Sequence, residues 1–443
     1  MNATNRISEL PVAVIGAGPV GLAAAAHLQE RGMPFVVIER GDFAGSAVAA
    51  WGHVRLFSPW RYCIDAAAQR LLLDAGWTPP PPETFPTGAE FITQYLAPLS
   101  RTHDIAPHLM FAATVTSISR AGRDKLSSGE RGAAPFALHL QRADGSTQRL
   151  LARAVIDASG TWHAPAPLGA DGTPASGESA AGDRIDYGIP DVLGAARHRF
   201  ADQRILVVGG GHSASHAILD LASLRTTAPR TRIEWAIRRP DATRLIGGGD
   251  ADQLPERGAI GTRIARLLHD HAVTLHTGMH VVEVVRTTDG ALMVQDENQR
   301  ALGPYDRIIA ATGFRPDLAM LRELRLDIDD RCEAPRRLAP MIDPNLHSCG
   351  SVPPHGAHEL AHFAEPGFYI AGSKSYGRAP TFLMLTGYEQ VRSIVADIAG
   401  DAEEARAVRL VLPETGVCCG PSEIECCPAP GALISLDDIG VRP

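Results

Sequence analysis

Short apolar runs broken by glycine set the rhythm of this chain. Val12 to Ile15 are all apolar, Gly16, Gly18, Pro19 and Gly21 interrupt the pattern, an alanine-rich stretch continues to about Arg31, and Phe35 to Ile38 are apolar again. Brief apolar runs without polar alternation predict strands buried on both faces, as in a parallel sheet, and the alanine-rich stretch between them predicts a helix. The succession returns at Ile205 to Val208, where Gly209, Gly211 and Ala214 precede a second helical stretch and "RIEWAIRR" supplies the next strand. Between the two units, "FAATVTSISR", "PFALHLQRA" and "QRLLARAVIDASG" read as short strands separated by polar, glycine-containing turns, a meander inserted in the first unit. The Pro-, Gly-, Ala- and Ser-rich stretch from Ala164 to Ala181 predicts the crossover into the second unit.

The glycines carry the first chemistry. Gly16, Gly18 and Gly21 form G-x-G-x-x-G between a strand and a helix, where glycine permits the turn, the approach of backbone to a pyrophosphate, and close packing of helix on strand. Glu39 follows the second strand, where a carboxylate accepts hydrogen bonds from ribose hydroxyls. In the second unit the corresponding strand is followed by Arg238 and Arg239. Arginine forks suit the 2'-phosphate of NADPH better than the free hydroxyls of NADH. The predicted fold class is α/β, with two Rossmann-like dinucleotide-binding domains, a small β-meander and a flexible cysteine-rich C-terminal tail.

Length and charge narrow the picture further. A chain of 443 residues has room for two or three domains. Its formal charge of -8 argues against a nucleic-acid or anionic-membrane partner. The apolar run Val12 to Leu28 is broken by glycines and proline and lacks a basic flank, so it reads neither as a signal peptide nor as a membrane span. The expected compartment is the cytoplasm, where seven cysteines in so long a chain are not a disulfide scaffold.

Two Rossmann units joined by "DASGTWHAP", with "IIAATGFRPD" after the second, resemble two-dinucleotide-domain flavoproteins, and among them the flavin monooxygenases of the FMO and Baeyer-Villiger type. The resemblance implies FAD in the first site, NADPH in the second, and interdomain hinges at the two A-T-G-like segments. It also implies that "FYIAGSKSYGRAPTFLMLTGYEQVRSIVADIAG" is a closing strand, Phe368 to Ala371, followed by a helix from near Pro380 whose N-terminus faces the flavin ring. Ser373 stands where the family carries an acid. "WGHVRLFSPWRY" occupies the place of a tryptophan-containing loop beside the flavin, with packing or an ion pair as the plainer roles for Trp51, Arg55 and Trp60. The implied division is 1–163 and 311–400 for FAD, 164–310 for NADPH and 401–443 for the tail. Candidate cofactor-binding residues are Gly16, Gly18, Pro19, Gly21, Glu39, Arg40, Trp51, Gly209, Gly211, Ser213, Ala214, Arg238, Arg239, Thr312, Gly313, Gly372, Ser373 and Thr381.

Departures from the pattern matter as well. The F-x-G-x-x-x-H fingerprint of ketone and amine oxygenases is missing, and no C-x-x-C or C-x4-C adjoins the first glycine turn, which disfavours a standard disulfide reductase. The stretch "SYGRAPTFLMLTGYEQVRSI" is similar to flavin-binding monooxygenase-like proteins encoded with arsenic-resistance genes. "HELAH" at His358 to His362 matches a zinc-protease motif, with His347, Cys349 or His355 available as a third ligand, but flanking Pro and Gly leave little room for a helix. Cys63 reads as a small buried thiol, although Arg61 could support a thiolate. Cys418, Cys419, Cys426 and Cys427 lie in a Pro- and Gly-rich tail. They fit capture of a soft metal or metalloid such as trivalent arsenic, a redox relay, a structural zinc, or a merely oxidisable tail. With Arg55, they are the candidate catalytic residues. The expected activity is NADPH-consuming, FAD-dependent oxidation of a small-molecule or metalloid substrate, with oxygen as co-substrate if the chain is a monooxygenase, in a monomer or homodimer. The alternatives are a reductase feeding electrons to the tail, and a metalloid-binding flavoprotein without turnover.

Overall fold

The computed structural model describes residues 7–242, 245, 255–346, 352–379 and 382–410. Val12–Ile15 (β1) and Phe35–Ile38 (β2) form as the apolar runs predict, with the helix Pro19–Glu30 between them. Proline at its first turn costs no hydrogen bond, because that N–H has no partner inside the helix. Ala23 to Ala26 are fully buried, and the small side chains let this helix pack closely on the later helix Met384–Ile398.

Leu109–Met110 (β3) extends the sheet from β2. The chain then makes the meander Ala113–Arg120 (β4), Phe136–Arg142 (β5) and Thr147–Ala152 (β6), an antiparallel sheet of three strands. The stretch expected as one further strand divides at Arg153: β6 ends the meander, and Ala154–Asp157 (β7) returns to pair parallel with β1. The division follows from burial, since β7 is covered on both faces whereas β6 begins exposed.

The second parallel sheet is built from Ile185–Tyr187 (β8), Arg204–Val208 (β9), Arg232–Ala236 (β10), Thr274–His276 (β11) and, after a three-stranded antiparallel excursion over Val281–Arg286 (β12), Leu292–Asp296 (β13) and Ala301–Tyr305 (β14), Arg307–Ala310 (β15). Its order is β11-β10-β9-β15-β8. A small hairpin of Ile328–Asp329 (β16) and Ala334–Pro335 (β17) precedes Phe368–Ile370 (β18), which closes the first sheet in the order β18-β7-β1-β2-β3. The helix expected from near Pro380 begins at Met384, because Leu383 is still extended.

Buried charge ties these parts together. Glu365, with no exposed surface, is gripped by Arg120 at 2.9 Å and by Arg131, both nearly inaccessible, and it accepts the Arg325 N–H at 2.8 Å. Meander, β18 approach and the 320s loop therefore meet on one carboxylate. Among the described residues no helix is long and apolar enough to cross a membrane.

Candidate functional site

The carboxyl ends of β1, β7 and β18 lie side by side, Ile15 opposite Asp157 and Asp157 opposite Ile370. Ligands of open α/β sheets bind in the crevice beyond such ends. Here a cavity of about 670 Å³ opens there, lined among others by Gly16, Gly18, Pro19, Glu39, Arg40, Trp51, Gly372 and Ser373. The fold thus gathers into one hollow sequence candidates that are more than 350 positions apart.

The glycines divide the labour at the turn. Gly16 has φ +97, and a Cβ there would stand 2.8 Å from the Ala158 carbonyl oxygen. Gly21 lies behind the cavity wall, where a Cβ would overlap the Gly16 carbonyl oxygen. At Gly18 an added Cβ would meet no protein atom within 4 Å, so the space before it is open to a ligand. Glu39 accepts from Ala17 N at 2.7 Å with one oxygen, and from Gly41 N at 2.7 Å and Ser46 Oγ at 2.9 Å with the other. The carboxylate is thereby fixed on the cavity wall with lone-pair capacity remaining. An open cradle, a fixed acid and an uncapped helix end at Leu383 and Met384 fit the pyrophosphate, ribose and electron-rich ring of a flavin dinucleotide.

Aromatic and apolar groups complete the wall: Trp51, Phe57, Trp162, Phe382 and Met384. His163 faces the same hollow, and burial, with the nearby Arg40 charge, lowers its pKa so that the imidazole stays neutral at pH 7. Arg55 does not join them. It is exposed and donates to the Phe85 carbonyl, outside the lining. Trp60 is packed in the core. Among the described residues that line the cavity there is no cysteine.

Two groups at this site escaped the sequence reading. Lys374 and Asp157, at 1% and 0% exposure, form an ion pair of 2.7 Å, and the ammonium also donates to Ser159 Oγ at 3.1 Å. The only hint in the sequence is a lysine two residues after Gly372. Gln390 accepts the Gly372 N–H at 2.8 Å and donates to Ser375 Oγ and His355 Nε2, both at 2.9 Å. His355 Nδ1 in turn donates to the Pro353 carbonyl at 3.0 Å, which fixes a neutral tautomer in a site where burial already lowers its pKa.

The second glycine turn is held from below. Trp235 donates its indole N–H to the Gly209 carbonyl at 2.7 Å, and Gly209 N donates to Ala236 O at 3.1 Å. Gly211 has open space before it, Ser213 follows in the first turn of the helix His212–Leu224, and Ala214 is fully buried. Arg238 and Arg239 are exposed beyond β10, Arg238 donating to the Ala170 carbonyl at 3.2 Å. Thr312 and Gly313 lie where the two segments joining the sheets cross: Thr312 Oγ1 donates to Ala166 O at 2.6 Å, and Gly313 O accepts from Ala166 N at 2.9 Å. Trp162 and Phe314 stack across that crossing at 4.8 Å.

The zinc-protease motif does not assemble. The helix is only Ala357–Leu360, His358 is exposed beside Arg337, and His362 is buried with Nδ1 accepting from Asp327 N at 3.1 Å. Among the described residues no group of three or more His, Cys, Asp or Glu could hold a metal. Cys63 is fully buried, and burial pushes its thiol up to about 12. Thr381, His347, Cys349 and the tail cysteines Cys418, Cys419, Cys426 and Cys427 lie outside the described residues.

Comparison with known proteins agrees with this geometry. The chain is 30% identical over 224 residues to the indole-3-pyruvate monooxygenase YUCCA1 of Oryza sativa subsp. japonica, an alignment spanning 47% of this chain and 44% of that enzyme. It is 26% identical over 331 residues to a ferredoxin-NADP reductase of Salinispora tropica, 73% of this chain and 80% of that one. Among solved structures, bacillithiol disulfide reductase from Bacillus cereus shares the fold with a TM-score of 0.65 at 20% identity, over 88% of this chain and 99% of that one. A flavin-containing monooxygenase from Stenotrophomonas maltophilia does so with a TM-score of 0.53 at 22% identity, over 88% and 98%. The family model for pyridine nucleotide-disulphide oxidoreductases matches residues 10–365, a span that includes both glycine turns and the crossing between the sheets. The cofactor pair expected from the sequence, FAD with NADPH, is the pair such flavoproteins use. The chain belongs to the pyridine nucleotide-disulphide oxidoreductase family.

Proposed function

We propose that this chain is an FAD-dependent, NADPH-oxidising monooxygenase acting on a small soft centre, a trivalent metalloid such as arsenite or a sulfur compound. The observation that carries the reading is the cavity itself, which joins an open glycine cradle, a fixed acid and a helix N-terminus within an aromatic wall that has no cysteine among its described residues. A standard disulfide reductase carries a C-x-x-C or C-x4-C redox pair beside the flavin, and none adjoins the first glycine turn. FAD would supply the redox chemistry, taking hydride from NADPH. The overall balance is NADPH, a proton, oxygen and substrate giving NADP+, water and the substrate with one added oxygen atom.

The chain's own contribution is positioning and exclusion of water. Gly18 would leave room for the pyrophosphate, Glu39 would accept from the ribose hydroxyls, and Trp51, Phe57, Trp162 and Phe382 line the hollow with aromatic surface. The helix end at Met384 favours negative charge beside it. The soft substrate rests on the four tail cysteines and on the resemblance to arsenic-associated proteins.

The test is NADPH consumption by FAD-loaded protein with arsenite, in air and without oxygen, with product speciation. Oxygen-dependent turnover that yields arsenate supports the reading. Sustained anaerobic turnover that disappears in the Cys418→Ser or Cys427→Ser variant replaces it with electron delivery to the tail. Tight arsenite binding with negligible turnover replaces it with a sensing role.

A further inference from the structure

Arg315 and Arg378 point their guanidinium groups at one small space beside Gly172. A Cβ on Gly172 would lie 2.6 Å from Arg315 Nη2 and 3.4 Å from Arg378 Nη2. Three separate segments create this convergence: the crossover loop carrying Gly172, the stretch after Gly313 at the crossing of the two sheets, and the turn that follows the Gly372–Tyr376 helical turn. Gly172 has φ +89 and no side chain, so the loop makes room for both arginines.

Like charges converge in a stable fold when something of opposite sign completes them. Here the protein supplies little. Among the described residues neither guanidinium makes a side-chain hydrogen bond, although each carries five N–H donors, and Arg315 Nε is buried without a partner. Among the described residues the one counter-charge within ion-pair range is Glu333, 3.9 Å from Arg378, at the outer limit of such a pair. The adjacent Asp171 is engaged locally, accepting from Thr173 N at 2.9 Å and Thr173 Oγ1 at 2.8 Å. Arg238 reaches the same loop through the Ala170 carbonyl, which makes the rim still more positive.

We infer that Arg315 and Arg378 form an anion clasp at the junction of the two sheets, taking a tetrahedral phosphate-type oxyanion. Planar guanidinium forks that converge on one space suit the several oxygens of such a group, and bidentate bonds to it are charge-assisted. The same chemistry has two sources: the 2'-phosphate of NADPH, or a free oxyanion such as phosphate or arsenate. The first source rests on the NADPH reading above; the second does not. Phe314, next to Arg315, stacks on Trp162 of the flavin cavity wall, so occupancy of the clasp is mechanically adjacent to the redox site.

The experiment uses the full chain and the variants Arg315→Met, Arg378→Met and Arg315→Lys. NADPH and NADH affinities are measured by nucleotide fluorescence, and thermal stabilisation is measured with inorganic phosphate and arsenate. Both arginines are partly exposed, and the melting temperature of each variant without anion reports whether it has folded. If the clasp takes the 2'-phosphate, each Met variant loses about tenfold to a hundredfold in NADPH affinity while NADH affinity is unchanged, and Arg315→Lys falls between. If it takes a free oxyanion, NADPH affinity is unchanged and stabilisation by phosphate or arsenate is lost in the variants. The inference is overturned if folded variants keep NADPH affinity within about twofold and respond to both anions as the parent does. Failure of the parent to bind NADPH at all, with the anion effect intact, would remove the nucleotide reading and leave the clasp standing.

Discussion

Substituting alanine at Gly18 and at Gly21 separates cofactor binding from folding within one motif. At Gly18 the backbone has φ -80, a conformation alanine adopts freely, and its Cβ meets nothing within 4 Å. Losing glycine at the helix N-cap costs a few tenths of a kcal/mol to about 1 kcal/mol, and the reduced freedom of the unfolded chain returns about 0.4–1 kcal/mol. Apo-protein stability should therefore change by less than about 1 kcal/mol. At Gly21 a methyl overlaps the Gly16 carbonyl oxygen and stands 3.0 Å from its carbon, so two backbone segments must part. Overpacking of that kind costs about 1–3 kcal/mol when side chains can yield and more when backbone must move. The assay is urea unfolding of the apo-proteins together with flavin retained after gel filtration. Gly18→Ala should unfold like the parent yet lose flavin; Gly21→Ala should unfold early. The reasoning is refuted if Gly18→Ala keeps parental FAD affinity, or if the two variants lose the same stability.

Other expectations follow from buried groups. Glu365→Leu strands Arg120 and Arg131 without their carboxylate, and should lower unfolding stability by about 3–5 kcal/mol in urea. His362 has its pKa lowered by burial to about 4, against about 6.5 when unfolded. The unfolded chain therefore gains the proton first, so stability from this group is intact at pH 7 and is lost between about pH 6.5 and 4, by about 3 kcal/mol. His362→Asn should show that much less loss over the window, and an identical pH slope would contradict the assignment. With its thiol near 12, Cys63 should resist alkylation at pH 8 in the folded protein and react only in denaturant, read by mass spectrometry. Trp235→Phe leaves the Gly209 carbonyl without its donor, and should raise the NADPH KM about threefold to tenfold while flavin content stays constant.

What was legible in the sequence was local. β1 and β2 appear in it residue for residue because each is a brief apolar run covered on both faces, and burial and periodicity agree. The start of the last long helix was misplaced because Pro380 looks like a first-turn proline, whereas the extended backbone at Leu383 delays the helix. "HELAH" matched a motif but not a helix, since Ala361 leaves it to bridge to Tyr369. Contacts between distant segments had no local signature. Lys374 and Asp157 are 217 positions apart, and nothing near either names the other. The arginines beside Gly172 are hidden for the same reason, each looking like an ordinary surface charge until three loops cross.

With FAD in the first-sheet cavity, as proposed above, the strand order also dictates when the cofactor can be taken up. All five strands of the second sheet lie in one uninterrupted segment, Ile185 to Ala310, whereas the first sheet needs β18, at Phe368–Ile370, to finish its edge. During synthesis the second sheet can therefore close while the first is still open on the ribosome, waiting for its final strand and the helix Met384–Ile398. Flavin capture becomes a checkpoint on completeness: a chain halted before Phe368 retains a closed nucleotide sheet but lacks the strand and helix end that wall the flavin cavity, so a truncated product would be colourless.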